Sequence, residues 1–298
     1  MEITYDYYRI FYYVAKYQSF TQAANVLNSN QPNLTKYINN LESQLNCKLF
    51  VRTNRGVTLT PEGEKLYAHV AVAYEQFKAA ELELANEQNL TSGVVTIGVS
   101  NTALHGILLP VLSQFHESYP GIRLRLSNLT TPQAIQSLKS GAVDFSLVTT
   151  PLQINKPFIQ TCLKNFQEIL IGSPQYKFLA NKPISLKEVA KYPLICLGKH
   201  TTTREFYNTL YSTHGVVLSP DTESATTDQL LPLVKNNLGL AFIPEEFAIE
   251  AIKKEEVIHI PLLQNVPMRS ISLVEDRSRY LNIAANKLKQ MLLAESAV

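Results

Sequence analysis

At 298 residues the chain is too long for one core and predicts two or three domains, and 45% hydrophobic residues suffice to bury them. Three cysteines, Cys47, Cys162 and Cys196, are odd in number and far apart, which excludes a disulfide framework and a cysteine-based zinc motif and predicts reduced, partly buried thiols. No apolar run approaches a membrane span, and the start MEITYDYYRI lacks the basic-then-apolar order of a secretory leader, so a cytoplasmic protein is expected.

The net charge of +2 is unevenly spread: residues 1–61 hold six basic against three acidic side chains, a net +3, which leaves −1 for the rest. A basic excess of that size predicts weak, salt-sensitive nucleic-acid binding by a single copy. The first predicted helix runs from about Tyr5 to Tyr17, with Tyr8, Phe11, Tyr12 and Ala15 on one face. Its aromatics recur at helical spacing, which favours a small core with some exposed rings over base stacking. Two short helices follow, Thr21 to Leu27 and Gln31 to Leu41. Ser19 and Gln22 form an S-x-x-Q capping box for the first, and Asn30 with Pro32 suits the start of the second. Leu34, Ile38 and Leu41 turn inward at helical spacing, so Asn33, Lys36, Tyr37 and Asn40 face out. Amides, an ammonium and a phenol so placed can read base edges in a major groove and hold phosphates. Asn46 is positioned to end this helix in a left-handed conformation.

Leu49 to Arg52 and Val57 to Leu59 flank the turn Thr53-Asn54-Arg55-Gly56 and predict a hairpin. After a helix-turn-helix such a hairpin is a wing, which would place Arg52 and Arg55 near the DNA backbone or minor groove; on an ordinary hairpin both would simply be solvated. Thr60-Pro61-Glu62 caps a long helix reaching about Gln88. Leu66, Val70, Ala73, Phe77, Ala80 and Leu84 fall on its heptad seam and predict dimerisation, with packing on its own domain as the alternative. Asn89 to Gly93 reads as a hinge.

From Val94 the pattern alternates strand and helix. Strands are expected at Val94–Val99, Ile122–Leu126 and Phe145–Val148, with helices at about Thr102–Ser118 and Pro132–Lys139. A second set has strands Phe166–Ile171, Leu194–Leu197 and Leu238–Ile243, with helices Thr203–Ser212, Asp228–Lys235 and Glu245–Ile252. Ile271–Val274 and a closing helix Leu281–Leu293 complete the chain. The first of these alternations implies a parallel sheet with right-handed crossovers, and two α/β lobes imply a cleft that binds a small ligand at the strand ends.

Ser19-Phe20-Thr21-Gln22-Ala23-Ala24, Gln31-Pro32, Leu41-Glu42, Leu45, Leu49-Phe50, Arg52 and Thr60-x-x-Gly63 together resemble the winged helix-turn-helix of LysR-type transcriptional regulators. Gly141-Ala142-Val143-Asp144-Phe145 and the stretch from Leu233 to Pro244 resemble that family's effector domain. The resemblance covers nearly the whole chain in order. It implies an α/β multidomain protein: a winged helix-turn-helix DNA-binding domain (1–61), a linker and dimerisation helix with hinge (62–92), and an effector-binding domain (93–298). The last resembles periplasmic binding proteins, with lobe I at about 93–162 and 268–298 and lobe II at about 163–267. It also implies a homodimer through the linker helix and usually a homotetramer, double-stranded DNA and a small-molecule effector as partners, contact with RNA polymerase, and no cofactor. DNA contacts would come from Gln31, Pro32, Asn33, Thr35, Lys36, Tyr37, Arg52 and Arg55. Asn33 departs from the family's usual small residue, Thr35 from its common serine and Lys36 from its frequent arginine. Lysine lacks arginine's bidentate fork, so Lys36 is expected on a phosphate rather than a guanine.

The family's ligand positions fall at strand ends and helix starts, which here are Ser100, Asn101, Thr102, Thr149, Thr150, Thr201, Thr202 and Thr227. Hydroxyls beside free helix N–H groups suit a small anion, although Ser and Thr also cap helices without any ligand. Lys199, His200 and Arg204 would add charge if turned inward. The chain has no G-x-S-x-G, no G-x-x-x-x-G-K and no G-x-G-x-x-G, and its six histidines show no metal-ligand spacing. No enzyme is therefore expected. Two other readings remain: a small-molecule-binding protein whose first domain makes protein contacts, and an enzyme with an appended DNA-binding domain.

Overall fold

Helix α1 (Tyr5–Tyr17) stops where Gln18 turns left-handed at φ 50°. Ser19 Oγ then accepts from the Gln22 N–H and starts α2 (Phe20–Val26). Asn30 Oδ1 accepts from the Asn33 N–H at 2.9 Å at the head of α3 (Gln31–Leu45), which Asn46 closes at φ 52°. The computed structural model describes residues 3–53 and 56–296 and divides into two units, Met1–Asn86 and Glu87–Val298.

In the first unit the three helices enclose Phe11, Val14, Phe20, Ala23, Leu34, Ile38 and Leu41. Strand β1 (Phe50–Thr53) pairs antiparallel with β2 (Gly56–Leu59). Thr60 Oγ1 accepts from the Gly63 N–H at 2.9 Å and starts α4 (Pro61–Gln88). A Cβ on Gly63 would lie 2.2 Å from the Leu49 carbonyl oxygen, so only glycine lets α4 begin against the chain entering β1. Tyr12 Oη donates to Glu75 at 2.7 Å, and Tyr74 Oη to Tyr13 Oη at 2.8 Å, tying α1 to α4. Among the described residues no helix is long and apolar enough to cross a membrane.

The second unit opens with β3 (Gly93–Val99) and α5 (Asn101–Ala103). A π-helical turn at Leu104–Leu108 leads into α6 (Leu109–Ser118). Pro110 explains the widened turn: its ring crowds the carbonyl four residues back, and it has no N–H to offer. That carbonyl, on Gly106, accepts instead from Lys164 Nζ at 3.1 Å. Next come β4 (Ile122–Asn128), α7 (Thr131–Ser140), β5 (Phe145–Thr149) and β6 (Phe158–Phe166). Then follow β7 (Glu168–Gly172), α8 (Leu186–Val189), β8 (Leu194–Leu197), α9 (Thr202–Thr213) and β9 (Thr222–Ser224). Finally come α10 (Leu230–Lys235), β10 (Leu240–Pro244), α11 (Glu245–Lys253), β11 (Ile258–Ile260), β12 (Arg269–Asp276) and α12 (Ile283–Glu295).

These strands form two sheets, ordered β4-β3-β5-β12-β6 and β11-β7-β10-β8-β9. The parallel sheet expected from the first strand-helix alternation is present as β4-β3-β5. The second sheet has a parallel part too, β10-β8-β9, and each sheet holds one reversed strand: β12 pairs antiparallel with both β5 and β6, and β7 with both β10 and β11. The reason is that β6 carries the chain out of the first sheet and β12 brings it back. The single strand expected over Phe166–Ile171 is two, because Gln167 passes the extended chain from one sheet to the other. Its side-chain Nε2 donates to the Val266 carbonyl at 2.8 Å, joining the outward passage to the return. Val95, Ile97, Val99, Phe145 and Leu147 pack with α6 and α12 in the first lobe. Leu194, Tyr211, Leu240 and Phe242 centre the second.

Candidate functional site

In the first unit, α3 buries Leu34, Ile38 and Leu41 and leaves Gln31, Pro32, Asn33, Lys36, Tyr37 and Asn40 exposed, with Thr35 half-buried. The only carboxylate on α3, Glu42, is buried beneath the helix, so the exposed face carries one positive charge and no negative one. Gln31 Oε1 accepts weakly from Thr21 Oγ1 at 3.4 Å, and Tyr37 stands edge-on to Tyr7, ring centres 5.4 Å apart. Arg52 is exposed on β1 with its guanidinium 5.3 Å from the Phe20 ring centre. Arg55, the other wing arginine singled out from the sequence, lies outside the described residues.

Of the heptad seam on α4, Leu66 and Val70 are half-buried beside α1, while Ala73, Phe77, Ala80 and Leu84 are exposed. Phe77, 51% exposed, meets Tyr5 edge-on. Together with Tyr5, Tyr8, Leu66, Val70 and Ala73 it lines an apolar groove of about 370 Å³.

In the second unit a cavity of about 270 Å³ lies between the two sheets' strand ends. Ser100, Asn101, Thr102 and Thr149 line it from the first lobe, and Thr201, Thr202 and Thr227 from the second, which brings together residues far apart in sequence. Thr150 does not line it. Its hydroxyl accepts from the Ser270 N–H at 2.8 Å and its carbonyl from Arg269 Nε at 2.7 Å, which turns it toward β12 and corrects its expected place at the ligand. Arg204 is also not on the wall: it is buried, with Nη1 on the Leu197 carbonyl at 3.1 Å and on Glu223 at 3.0 Å. Lys199 and His200 are absent from the lining as well.

Sequence reasoning missed Asn128, Thr130, Thr131 and Gln133, which form a further wall. The same signal, a strand end followed by hydroxyls and a helix-starting proline, was present at Asn128-Leu129-Thr130-Thr131-Pro132. It also missed the charged layer behind the wall. Arg269 and Glu168 are each buried and paired, Nη1 to Oε1 at 3.1 Å. Tyr207 Oη donates to Glu168 Oε2 and stacks on Phe242. Burial, and then the Glu168 charge, push the Tyr207 hydroxyl well above its ordinary range, so it stays a neutral donor. Burial likewise pushes the Cys196 thiol up to about 11, leaving it an unreactive apolar group.

The lobes touch across the cavity. Thr102 Oγ1 and Thr227 Oγ1 are 3.3 Å apart, and the Asp228 N–H donates to Asn101 Oδ1 at 3.0 Å. Among the described residues no Asp, Glu, Lys, Arg, His or Cys is on the cavity wall. The wall offers hydroxyls, amides and the first turns of α7 and α9.

Residues 5–64 match the family model described as bacterial regulatory helix-turn-helix protein, lysR family, and residues 88–297 that of the LysR substrate binding domain. A probable RuBisCO transcriptional regulator of Porphyra purpurea is 28% identical over 306 residues, covering 98% of this chain and 94% of that protein. Among solved structures, a full-length OxyR variant from Pseudomonas aeruginosa superposes with a TM-score of 0.69 at 19% identity, covering 99% of this chain and 100% of that one. Full-length CbnR in complex with its target DNA gives a TM-score of 0.66 at 16% identity, with 99% and 100% covered. With a helix-turn-helix domain followed by an effector-binding domain, the chain belongs to the LysR family of transcriptional regulators.

Proposed function

We propose that two copies, paired along the exposed seam of α4, read two half-sites of an interrupted palindrome in the cytoplasm, and that pairs assemble into a tetramer. In this reading residues 1–61 bind DNA, 62–92 link and dimerise, and 93–298 receive the effector. Gln31, Pro32, Asn33, Thr35, Lys36 and Tyr37 face the major groove, and Arg52 and Arg55 the backbone. The observation that carries it is the exposed face of α3, whose amides, ammonium and phenol meet no competing carboxylate. CbnR, solved on its target DNA, lends the docking by likeness of fold.

The effector sits in the cavity at Ser100, Asn101, Thr102, Thr149, Thr201, Thr202 and Thr227, without turnover, a reading supported by the lack of a general base on its wall among the described residues. By binding one lobe arrangement more tightly than another it shifts the tetramer's geometry, and with it the DNA bend and the contact with RNA polymerase. The test is to incubate the purified protein with fragmented DNA of its own genome at moderate salt and sequence what is retained. Sharp enrichment at a few palindromic sites is expected. Diffuse retention by a folded protein, with and without candidate small anions, would overturn sequence-specific reading.

A further inference from the structure

Between β7 and β8 the chain leaves the second sheet for an excursion over residues 173–193. It runs as a 3-10 helix (Pro174–Ala180), a turn and the short α8. Leu179, Ile184, Leu186 and Val189 fasten its inner side to the core of the second lobe, and the Leu186 N–H donates to Gln264 Oε1 at 3.0 Å. Its outer side is cationic: Lys177, Lys182, Lys187 and Lys191 are all exposed, against a single acid, Glu188.

That charge is segregated. Residues 173–193 hold four basic side chains and one acidic, a net +3, whereas the rest of lobe II (163–267) holds six and ten, a net −4. Of those six, Lys164, Arg204, Lys235 and Lys253 each sit in an ion pair. Among the described residues none of the four lysines of the excursion meets a carboxylate. The fold has spent its carboxylates elsewhere and left a local positive field that draws an anionic partner.

The cationic face also holds an apolar cluster. The rings of Tyr176, Phe178 and Tyr192 stand in a triangle with centres 5.9, 6.1 and 6.4 Å apart. Tyr176 and Tyr192 are half-buried and support Phe178, which is 57% exposed. Lys177 lies between two of these residues in the chain and Lys191 precedes the third. Aromatic anchors flanked by charge are the anatomy of a protein-binding patch. Duplex DNA is met by surfaces that are more polar. The three rings also close on one another tilted or edge-on, which leaves no open platform for stacked bases.

We propose that this face docks an acidic segment of a partner protein, one that carries aromatic or aliphatic side chains among its carboxylates. Phe178 supplies the apolar anchor, Lys177 and Lys191 meet the carboxylates beside it, and Lys182 and Lys187 steer the approach. The surface is separate from the cavity between the lobes, since none of these residues lines that cavity.

The test is fluorescence anisotropy of a labelled random copolymer of glutamate and tyrosine titrated with the full chain, with excess duplex DNA present to compete for the basic face of the first unit. Binding should saturate, weaken as salt rises, and exceed that of poly-glutamate, which lacks the rings. Lys177→Gln combined with Lys191→Gln should weaken it by about tenfold, and Phe178→Ser by about as much. Lys253→Gln, an exposed lysine outside the excursion, should leave it within about twofold. All four positions are exposed, so thermal unfolding should not change. Failure of the copolymer to bind, or binding that ignores these substitutions, would overturn the proposal. Equal binding of poly-glutamate, insensitive to Phe178→Ser, would reduce the face to a general polyanion site and overturn the apolar anchor. A shallower salt slope for duplex binding in the double lysine variant would make it a nucleic-acid contact instead. Phe178-dependent binding to phosphatidylglycerol vesicles without copolymer binding would make it a membrane contact. Either result overturns the protein partner.

Discussion

Glu42 illustrates how much one side chain on α3 does within the fold of the first unit. It is 6% exposed and accepts from Lys48 Nζ at 2.6 Å and from the N–H groups of Leu49 and Phe50 at 2.9 and 3.3 Å, joining α3 to the start of the hairpin. Burial pushes its carboxyl pKa up, but the Lys48 and backbone hydrogen bonds outweigh that and the net shift is down. A lowered folded pKa stabilises above the unfolded value, about 4.3, and that contribution is lost as pH falls through the folded one. Glu42→Ala should therefore destabilise the first unit by about 2–3 kcal/mol near pH 7, with a smaller loss below pH 4, measured by urea unfolding. Lys36 makes the opposite case, an exposed side chain with nothing to hold in the fold. Lys36→Ala should lower DNA affinity across sequences and reduce the salt slope by about one unit, with unfolding unchanged; an unaltered slope would remove it from the phosphates. The caps Ser19, Asn30 and Asn46 were legible in the sequence because each acts within three residues of itself. Glu42 was not, since its partners come six to eight residues later and a helical glutamate before a polar stretch reads as a surface charge.

At the scale of elements, α4 shows where periodicity stops being informative. The heptad is visible in the sequence, but not which stretch of it already has a partner. Leu66, Tyr67 and Val70 pack with the core beneath α1, whereas Phe77 and Leu84 are 51% and 61% exposed. Phe77→Asp should halve the mass measured by light scattering at micromolar concentration while leaving helicity intact; an unchanged mass would place the copy-to-copy contact elsewhere. Most long elements of the second unit were read within a few residues from their apolar spacing; β6 was not, because Phe158–Phe166 buries few of its side chains and interrupts its apolar residues with Gln160, Thr161, Lys164 and Asn165. The short ones, β9, β11 and α8, carry too few residues for a period to register. The division of β6 from β7 was illegible for a different reason. The chain stays extended through Gln167, and only its hydrogen-bond partners change.

For the whole molecule, the walls of the cavity were partly legible because hydroxyls at helix starts are a local signal. Arg269 and Glu168 were not, because 101 residues separate them and each heads an apolar strand where a charge reads as an exposed end. Their burial makes the pair sensitive to one-sided change. Arg269→Met leaves Glu168 charged, buried and without its cation, and should destabilise the second unit by about 3–5 kcal/mol. Adding Glu168→Leu should recover most of that loss, and a double-mutant cycle on thermal unfolding measures the coupling. If the two single losses simply add, the pair is not coupled.

Glu168 and Arg269 are the first residues of β7 and β12, which places the ion pair where the chain enters the second sheet and where it re-enters the first. The second unit is thus a clamshell with its two covalent straps side by side and pinned by one guanidinium. Beyond the straps, contacts such as Asn101 with Asp228, Thr102 with Thr227, Lys164 with Glu246 and His105 with Phe247 join the shells. Such a body has one soft coordinate, rotation about the pin. Opening breaks a few side-chain contacts and leaves the hydrogen-bond ladder of each sheet intact. An occupant that bridges Thr149 to Thr202 would grip the two shells beside the axle, converting the energy of a few short hydrogen bonds into a choice of angle.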